Sequence, residues 1–233
     1  MATAHAQRRM TKHELKEDVF LNVVISAREW IVNNLQKTLI VVGGVVVLIA
    51  AVWGFFAWRS SEDAAAQKLF GQGGVEMRSN NPAAAIAQFQ KLLDEHSGSS
   101  VAGLGCFQLA QLQFRQRSFD DARVNYQRYI DSYGSDPMLV SASWAGLGAV
   151  DEQAGFYAEA MEKFIKAVDA DKTGFNATEY LRRAIRCAVD ANDTAKAQTL
   201  FAQLQKDFSK DAASINTAKQ HLIEHGMLDP NTL

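Results

Sequence analysis

The segment "AEAMEKFIKAV" occupies residues 158–168, and its frame Ala160-x-x-x-Phe164 occurs three more times in the chain. Ala85 precedes Phe89, Ala122 precedes Tyr126 and Ala197 precedes Phe201, so the four alanines follow one another at steps of 37, 38 and 37 residues. A helix-breaking stretch comes before each frame: "SNNP" (79–82), "QRS" (116–118), "AGF" (154–156) and "ANDT" (191–194). Before each break lies another helical pattern. Twelve residues upstream of the alanines stand Gly73, Ala110, Gly148 and Ile185, three of them small. Each unit therefore reads as helix, short turn, helix. Small residues at a helix crossing let two backbones approach, and a ring one turn later fills the space against the neighbouring helix.

This pattern resembles the tetratricopeptide repeat, whose frame is W-x2-L-G-x2-Y followed by alanines and an Ala-x3-Phe pair in about 34 residues. The fullest match is Trp144-x-x-Leu147-Gly148 with Ala160, Phe164 and Ala167. The second unit has Cys106, Leu109 and Ala110, and the fourth has Leu181, Ala184 and Ile185. The consensus proline is absent, with Ser97, Gly134, Lys172 and Ser209 near its place, and "HSGSS", "YGSDP" and "DADKTG" predict longer loops between units. A generic antiparallel helical bundle is the competing architecture. The expected fold is all-α: an amphipathic helix within residues 1–37, a transmembrane helix over 38–58, a solenoid of about four hairpins over 62–225, and a tail over 226–233. A last helix, from about Ala212 to His225, caps the array, as solenoid ends require.

The transmembrane expectation rests on "TLIVVGGVVVLIAAVWGFFAW", 21 uncharged residues from Thr38 to Trp58. At helical rise this covers roughly 30 Å, the thickness of a bilayer's hydrocarbon core. Lys37 and Arg59 bracket it, and Trp53, Phe55, Phe56 and Trp58 gather at its far end, where rings suit the headgroup region. A cleaved signal peptide with a site at "DAAAQ" is the alternative, disfavoured by the long lead. Residues 1–37 carry six Lys/Arg, while the chain beyond Arg59 carries 17 against 22 acids, which predicts a cytoplasmic N-terminus. Ahead of the span, Val19, Phe20, Trp30 and Ile31 belong to one apolar helix face that must lie against the membrane interface or a partner helix.

No grouping points to catalysis. His221 and His225 are spaced i, i+4 but lack a third ligand, and are read as a solvated face. "GQGG" (71–74) has neither a preceding strand nor the Lys-Ser/Thr of a phosphate loop. Asp120 with Asp121, and Asp151 with Glu152, sit at helix ends, where acids are common, and "RRAIR" (182–186) is a local basic cluster. Cys106 and Cys187 read as buried small hydrophobes. A net charge of −2 argues against nucleic acid as a partner. Neither a cofactor nor a small-molecule substrate is expected. The remaining resource is a surface, with first-helix side chains Gln108, Gln111, Gln113, Arg115, Asp151, Arg182, Arg183 and Arg186 as candidate lining of a partner groove.

The run "REWIVNNLQKTLIVVGGVVVLIAAVWGFFAWRSSEDAAAQKLFGQG" joins a Trp-containing amphipathic segment, a Gly/Val-rich span and an Ala-rich first repeat helix. In this architecture the chain resembles the ancillary SecYEG translocon subunit family of bacteria. That resemblance implies a single-pass inner-membrane protein whose periplasmic repeats bind translocon-emerging or periplasmic proteins without catalysis. The alternative is an accessory scaffold subunit of a large respiratory or photosynthetic membrane complex, its span docked on an integral subunit and its repeats on an extrinsic one.

Overall fold

The computed structural model describes the backbone of residues 12–230, and side chains from Val23 onward. Every regular element among the described residues is helical. In order they are α1 (Lys12–Asn33), α2 (Leu35–Arg78), α3 (Pro82–Glu95), α4 (Ala102–Arg115), α5 (Phe119–Tyr133), α6 (Pro137–Gln153), α7 (Tyr157–Ala170), α8 (Ala177–Asp190), α9 (Thr194–Asp207) and α10 (Ala212–Glu224). The chain divides between Ser60 and Ser61 into two compact units.

The first unit holds α1 and the apolar part of α2. From Leu39 to Trp58 the large apolar side chains are exposed, and α2 is long and apolar enough to cross a membrane, a test that a signal sequence also passes. Trp30 and Ile31 of α1 are likewise exposed. The side chains of Val19 and Phe20 lie outside the described residues.

The second unit begins inside α2, whose last part buries Ala66, Leu69 and Gly73 and acts as the first helix of the first hairpin. No turn separates the apolar run from this repeat helix, since Ser60 and Ser61 are both helical. The following pairs are α4 with α5, α6 with α7 and α8 with α9, and α10 packs on α8 and α9. These are the four hairpins and the capping helix of the expected solenoid.

What makes the hairpins alike is their turn. Asn80 (φ 55°), Arg117 (φ 62°), Gly155 (φ 78°) and Asn192 (φ 56°) are left-handed, each five residues before a repeat alanine. The next residue's N–H reaches back over the turn: Asn81 donates to the Glu76 carbonyl, Ser118 to Gln113, Phe156 to Asp151 and Asp193 to Ala188, each at 2.9 Å. This Schellman arrangement satisfies carbonyls that the helix end would otherwise leave bare. The same four residues then start the second helix, each carbonyl accepting from the alanine N–H at positions 85, 122, 160 and 197. Gly226 (φ 68°) repeats the motif after α10, with the Met227 N–H on the Leu222 carbonyl.

Three of these turns use Asn or Gly, the residues that tolerate left-handed backbone, and Arg117 does not belong to that set. A Cβ at Gly155 would meet nothing within 4 Å, so substitution there changes only backbone preference. Arg117→Gly should therefore stabilise the folded chain by about 0.5–1 kcal/mol and Gly155→Ala should destabilise it by about 1 kcal/mol. Urea unfolding of the full-length protein in detergent checks both signs.

Candidate functional site

All four repeat alanines are fully buried, and Phe89, Tyr126, Phe164 and Phe201 are buried one turn later. The glycines face these rings. A Cβ at Gly73 would stand 2.7 Å from the Phe89 ring, and one at Gly148 would stand 3.1 Å from the Phe164 ring and 3.2 Å from the Ala160 carbonyl oxygen. Those two contacts close hairpins from within. Tyr126 instead crosses to the next hairpin, where its ring would lie 2.4 Å from a Cβ at Gly146. Similarly, a Cβ at Gly105 of α4 would meet the Leu92 side chain of α3 at 2.5 Å. Gly146 and Gly105 thus serve stacking between hairpins, a role that the spacing of the alanines does not reveal.

A polar layer runs along the same crossings. In the second and third hairpins the first-helix residue four before the left-handed turn pairs with the second-helix residue twelve positions on. In the second hairpin the Asn125 amide donates to Gln113 Oε1 at 2.8 Å. In the third, Lys163 Nζ donates to Asp151 Oδ2, and Arg123 of α5 reaches Asp151 Oδ1 at 2.6 Å. In the fourth, Ala188 and Leu200 occupy the same two places and are both buried. Next to Asp151, Glu152 accepts from Arg183 and Arg186 of α8, and the Arg183 guanidinium lies 4.3 Å from the Phe164 ring centroid. Two acids at the end of α6 thereby hold four cations from α5, α7 and α8.

A family model for the tetratricopeptide repeat-like domain matches residues 28–182. The chain belongs to that family. Solved structures of this fold include a crystal structure of the MamA protein (19% identical, TM-score 0.54, covering 64% of this chain and 75% of that one). A MamA fragment from Desulfovibrio magneticus RS-1 is 14% identical at TM-score 0.52, covering 63% and 77%. Pseudomonas aeruginosa PilF is 15% identical at TM-score 0.50, covering 72% and 78%. No functionally curated protein matches the sequence. The tetratricopeptide (TPR) architecture makes the second unit a protein-protein interaction module.

Within the TPR unit the candidate groove residues do not form one surface. Asp151 is 2% exposed and Gln113 is 7% exposed, both engaged in hairpin contacts, so neither is offered to a partner. Arg182 is bound by Glu179 one turn earlier on α8 (2.6 Å), and Arg183 and Arg186 are bound by Glu152. Arg183 and Arg186 thus tie α8 to α6, while Arg182 pairs within α8. Gln108 and Gln111 remain partly exposed on α4, and Arg115 is exposed in its last turn.

Cys106 and Cys187 are fully buried, and burial pushes their thiols up to about 11 and about 12, which keeps them protonated at neutral pH. No group of three or more His, Cys, Asp or Glu among the described residues could hold a metal ion. His221 is not simply solvated: its ring packs at a tilt against His225 with centroids 4.5 Å apart, and its Nε2 is buried without a hydrogen-bond partner. Burial foremost, then His225, lowers its pKa, while Asp190 and Glu224 pull the other way.

Asp151→Ala leaves Lys163 and Arg123, both partly exposed, without their acid, and should destabilise the chain by about 1–3 kcal/mol. Adding Lys163→Leu recreates the apolar pair of the fourth hairpin and should recover at least half of that loss in urea unfolding. For His221, the fold favours the neutral ring. Its contribution is therefore complete above the ordinary histidine range near about 6.5 and is lost as pH falls below it. Protection of the α10 amides, taken relative to their intrinsic exchange rates, should fall as the pH is lowered from 7.5 to 5.5, and His221→Gln should remove that fall.

Proposed function

We propose that this protein is a membrane-anchored TPR interaction module of the bacterial inner membrane. Its N-terminus is cytoplasmic and its solenoid is periplasmic, where it acts as an ancillary translocon or chaperone-type factor on emerging proteins. The observation that carries the reading is α2. One helix carries an uncharged apolar run whose side chains have no cover among the described residues, and ends as the first helix of the first hairpin. Uncovered Leu, Ile, Val, Trp and Phe over a bilayer's length are stable in lipid and costly in water. The excess of Lys and Arg before the span, against an acidic remainder, supports the orientation.

Of the candidate groove residues, the internal pairing of Asp151, Glu152 and the α8 arginines leaves those on α4 with free polar groups. Gln108, Gln111 and Arg115 suit hydrogen bonding to an extended protein segment. This is consistent with weak binding of varied clients, and gives no support to a metal-dependent or thiol-dependent reaction.

The test is a mild-detergent isolation of the full-length protein from native membranes with quantitative mass spectrometry. The expected result is substoichiometric recovery of SecY-type channel subunits together with many exported proteins. A fixed one-to-one ratio with the subunits of a respiratory or photosynthetic complex would replace the translocon reading with that of a constitutive scaffold. Release of the protein by alkaline carbonate without detergent would remove the anchor itself.

A further inference from the structure

We propose that a cavity between α5 and α7 binds a glutamate or aspartate side chain of a protein partner. This partner chemistry is additional to the translocon reading and depends neither on it nor on the anchor. The cavity measures about 640 Å³, and its charged lining is Arg123, Arg128 and Asp131 of α5 with Lys163 of α7. The α5 members share one helix face, since steps of three and four residues through Val124 and Gln127 connect them. Leu147 of α6, 1% exposed, gives the cavity an apolar floor, and Val124, 64% exposed, gives it an apolar lip. The charged groups all belong to second helices, so the site is distinct from Gln108, Gln111 and Arg115 on the first helix α4.

The charge count selects a carboxylate. Arg123 (2.6 Å) and Lys163 each hold one oxygen of Asp151, so two cations that repel each other share one buried acid. Arg128 makes only a long contact to the Leu93 carbonyl (3.4 Å), and Asp131 accepts from the Gln127 amide (2.9 Å). Three cations against Asp131 and Asp151 leave one positive charge, although the chain beyond Arg59 as a whole carries 17 Lys/Arg against 22 acids. One monoanion restores the balance, whereas a dianion would overshoot it beside two fixed acids. The donors are available as well. A guanidinium carries five N–H groups and an ammonium three, so most of those on Arg123, Arg128 and Lys163 have no acceptor among the described residues. The planar fork of arginine takes a carboxylate through two parallel hydrogen bonds. The volume selects the carrier of that carboxylate. A space of this size, within the usual range of ligand pockets, far exceeds what a small free anion fills. Leu147 and Val124 suit the aliphatic stem of the acid and an apolar neighbour, which a protein segment supplies together.

The experiment titrates the full-length protein in detergent with the peptide acetyl-Ala-Val-Glu-Val-Ala-amide, with its Gln analogue and with sodium sulfate. Binding is read from the side-chain Nε–H resonances of Arg123 and Arg128. The Glu peptide is expected to shift both saturably, and the Gln analogue to bind roughly tenfold more weakly or worse. Arg128→Gln should weaken the Glu peptide by about threefold or more at an unchanged urea midpoint, while Lys206→Gln, on α9, should leave its affinity as it was. If Arg128→Gln lowers the urea midpoint, Val124→Glu replaces it: a carboxylate set on the exposed lip should compete with the peptide to a similar degree. Equal binding of the Glu and Gln peptides, resonances that do not move, or an equal loss from Lys206→Gln would each overturn the site. Sulfate that shifts the same resonances at the same or lower concentration would make this a site for a free inorganic anion and overturn the protein segment as its occupant. None of these results bears on the anchor or on the translocon, which the isolation from native membranes tests separately.

Discussion

In each hairpin a single backbone N–H, reaching over one left-handed residue to a carbonyl five positions back, decides where the first helix stops and where the second begins. The donor residue caps the second helix with its own carbonyl, so the alanine four residues later falls at the first full turn. In the first and third hairpins the ring four residues beyond that faces the glycine seven residues before the left-handed turn. Turn and alanine are thus parts of one rigid offset, repeated at 80, 117, 155 and 192. Steps of 37 and 38 residues lengthen the loops between hairpins without disturbing that offset. Helices of 14 or so residues would be marginal alone, and this shared geometry lets each bury its apolar stripe on its neighbours.

The hairpins differ where the helices cross. The same pair of places is Gln113 with Asn125, then Asp151 with Lys163, then Ala188 with Leu200. The backbone accepts all three because the crossing distance is set by the small residues and the ring. Asp151 and Glu152 also stand in the last turn of α6, where the helix dipole is already negative and further acids are disfavoured. Four cations from three other helices offset that, and in doing so they tie the second, third and fourth hairpins together. Removing water from two carboxylates is costly, so the gain over an apolar crossing is one of register: only one stacking of α5, α7 and α8 on α6 satisfies both acids.

Much of the fold was legible because its signals are local. The Ala-x-x-x-aromatic frames marked the second helices, and "SNNP", "AGF" and "ANDT" contain residues suited to left-handed backbone. "QRS" was legible only by its position, since Arg117 has no such preference. The continuity of α2 through Ser60 and Ser61 was not legible. Serine in a helix costs little, and the change from apolar to polar composition looks the same whether or not a turn intervenes. The groove was the least readable part. Whether Asp151 faces a partner or a helix depends on helix phase, and a complementary polar pair twelve residues apart looks like ordinary surface. The signal was present in Gln113 and Asn125, which repeat the spacing of Asp151 and Lys163.

The two units make opposite use of apolar surface. In the TPR unit the bulky residues meet glycine and alanine across helix crossings, and the exposed remainder is mostly polar or isolated, as at Val124 and Phe175. In the first unit Val, Ile, Leu, Trp and Phe are exposed over consecutive turns with no small-to-large pairing against another helix. A water-facing surface of that kind would aggregate, since a monomer rarely exposes more than a few hundred Å² of contiguous apolar patch. The glycines of the apolar run underline the contrast. Gly43, Gly44 and Gly54 would meet nothing within 4 Å if each carried a Cβ, whereas Gly73, Gly105 and Gly146 would clash. Gly73, Gly105 and Gly146 are required by a neighbour in the same chain, and Gly43, Gly44 and Gly54 are free of any such requirement among the described residues. The two units therefore differ at the level of single residues: close packing after Ser61, and exposed apolar side chains before it.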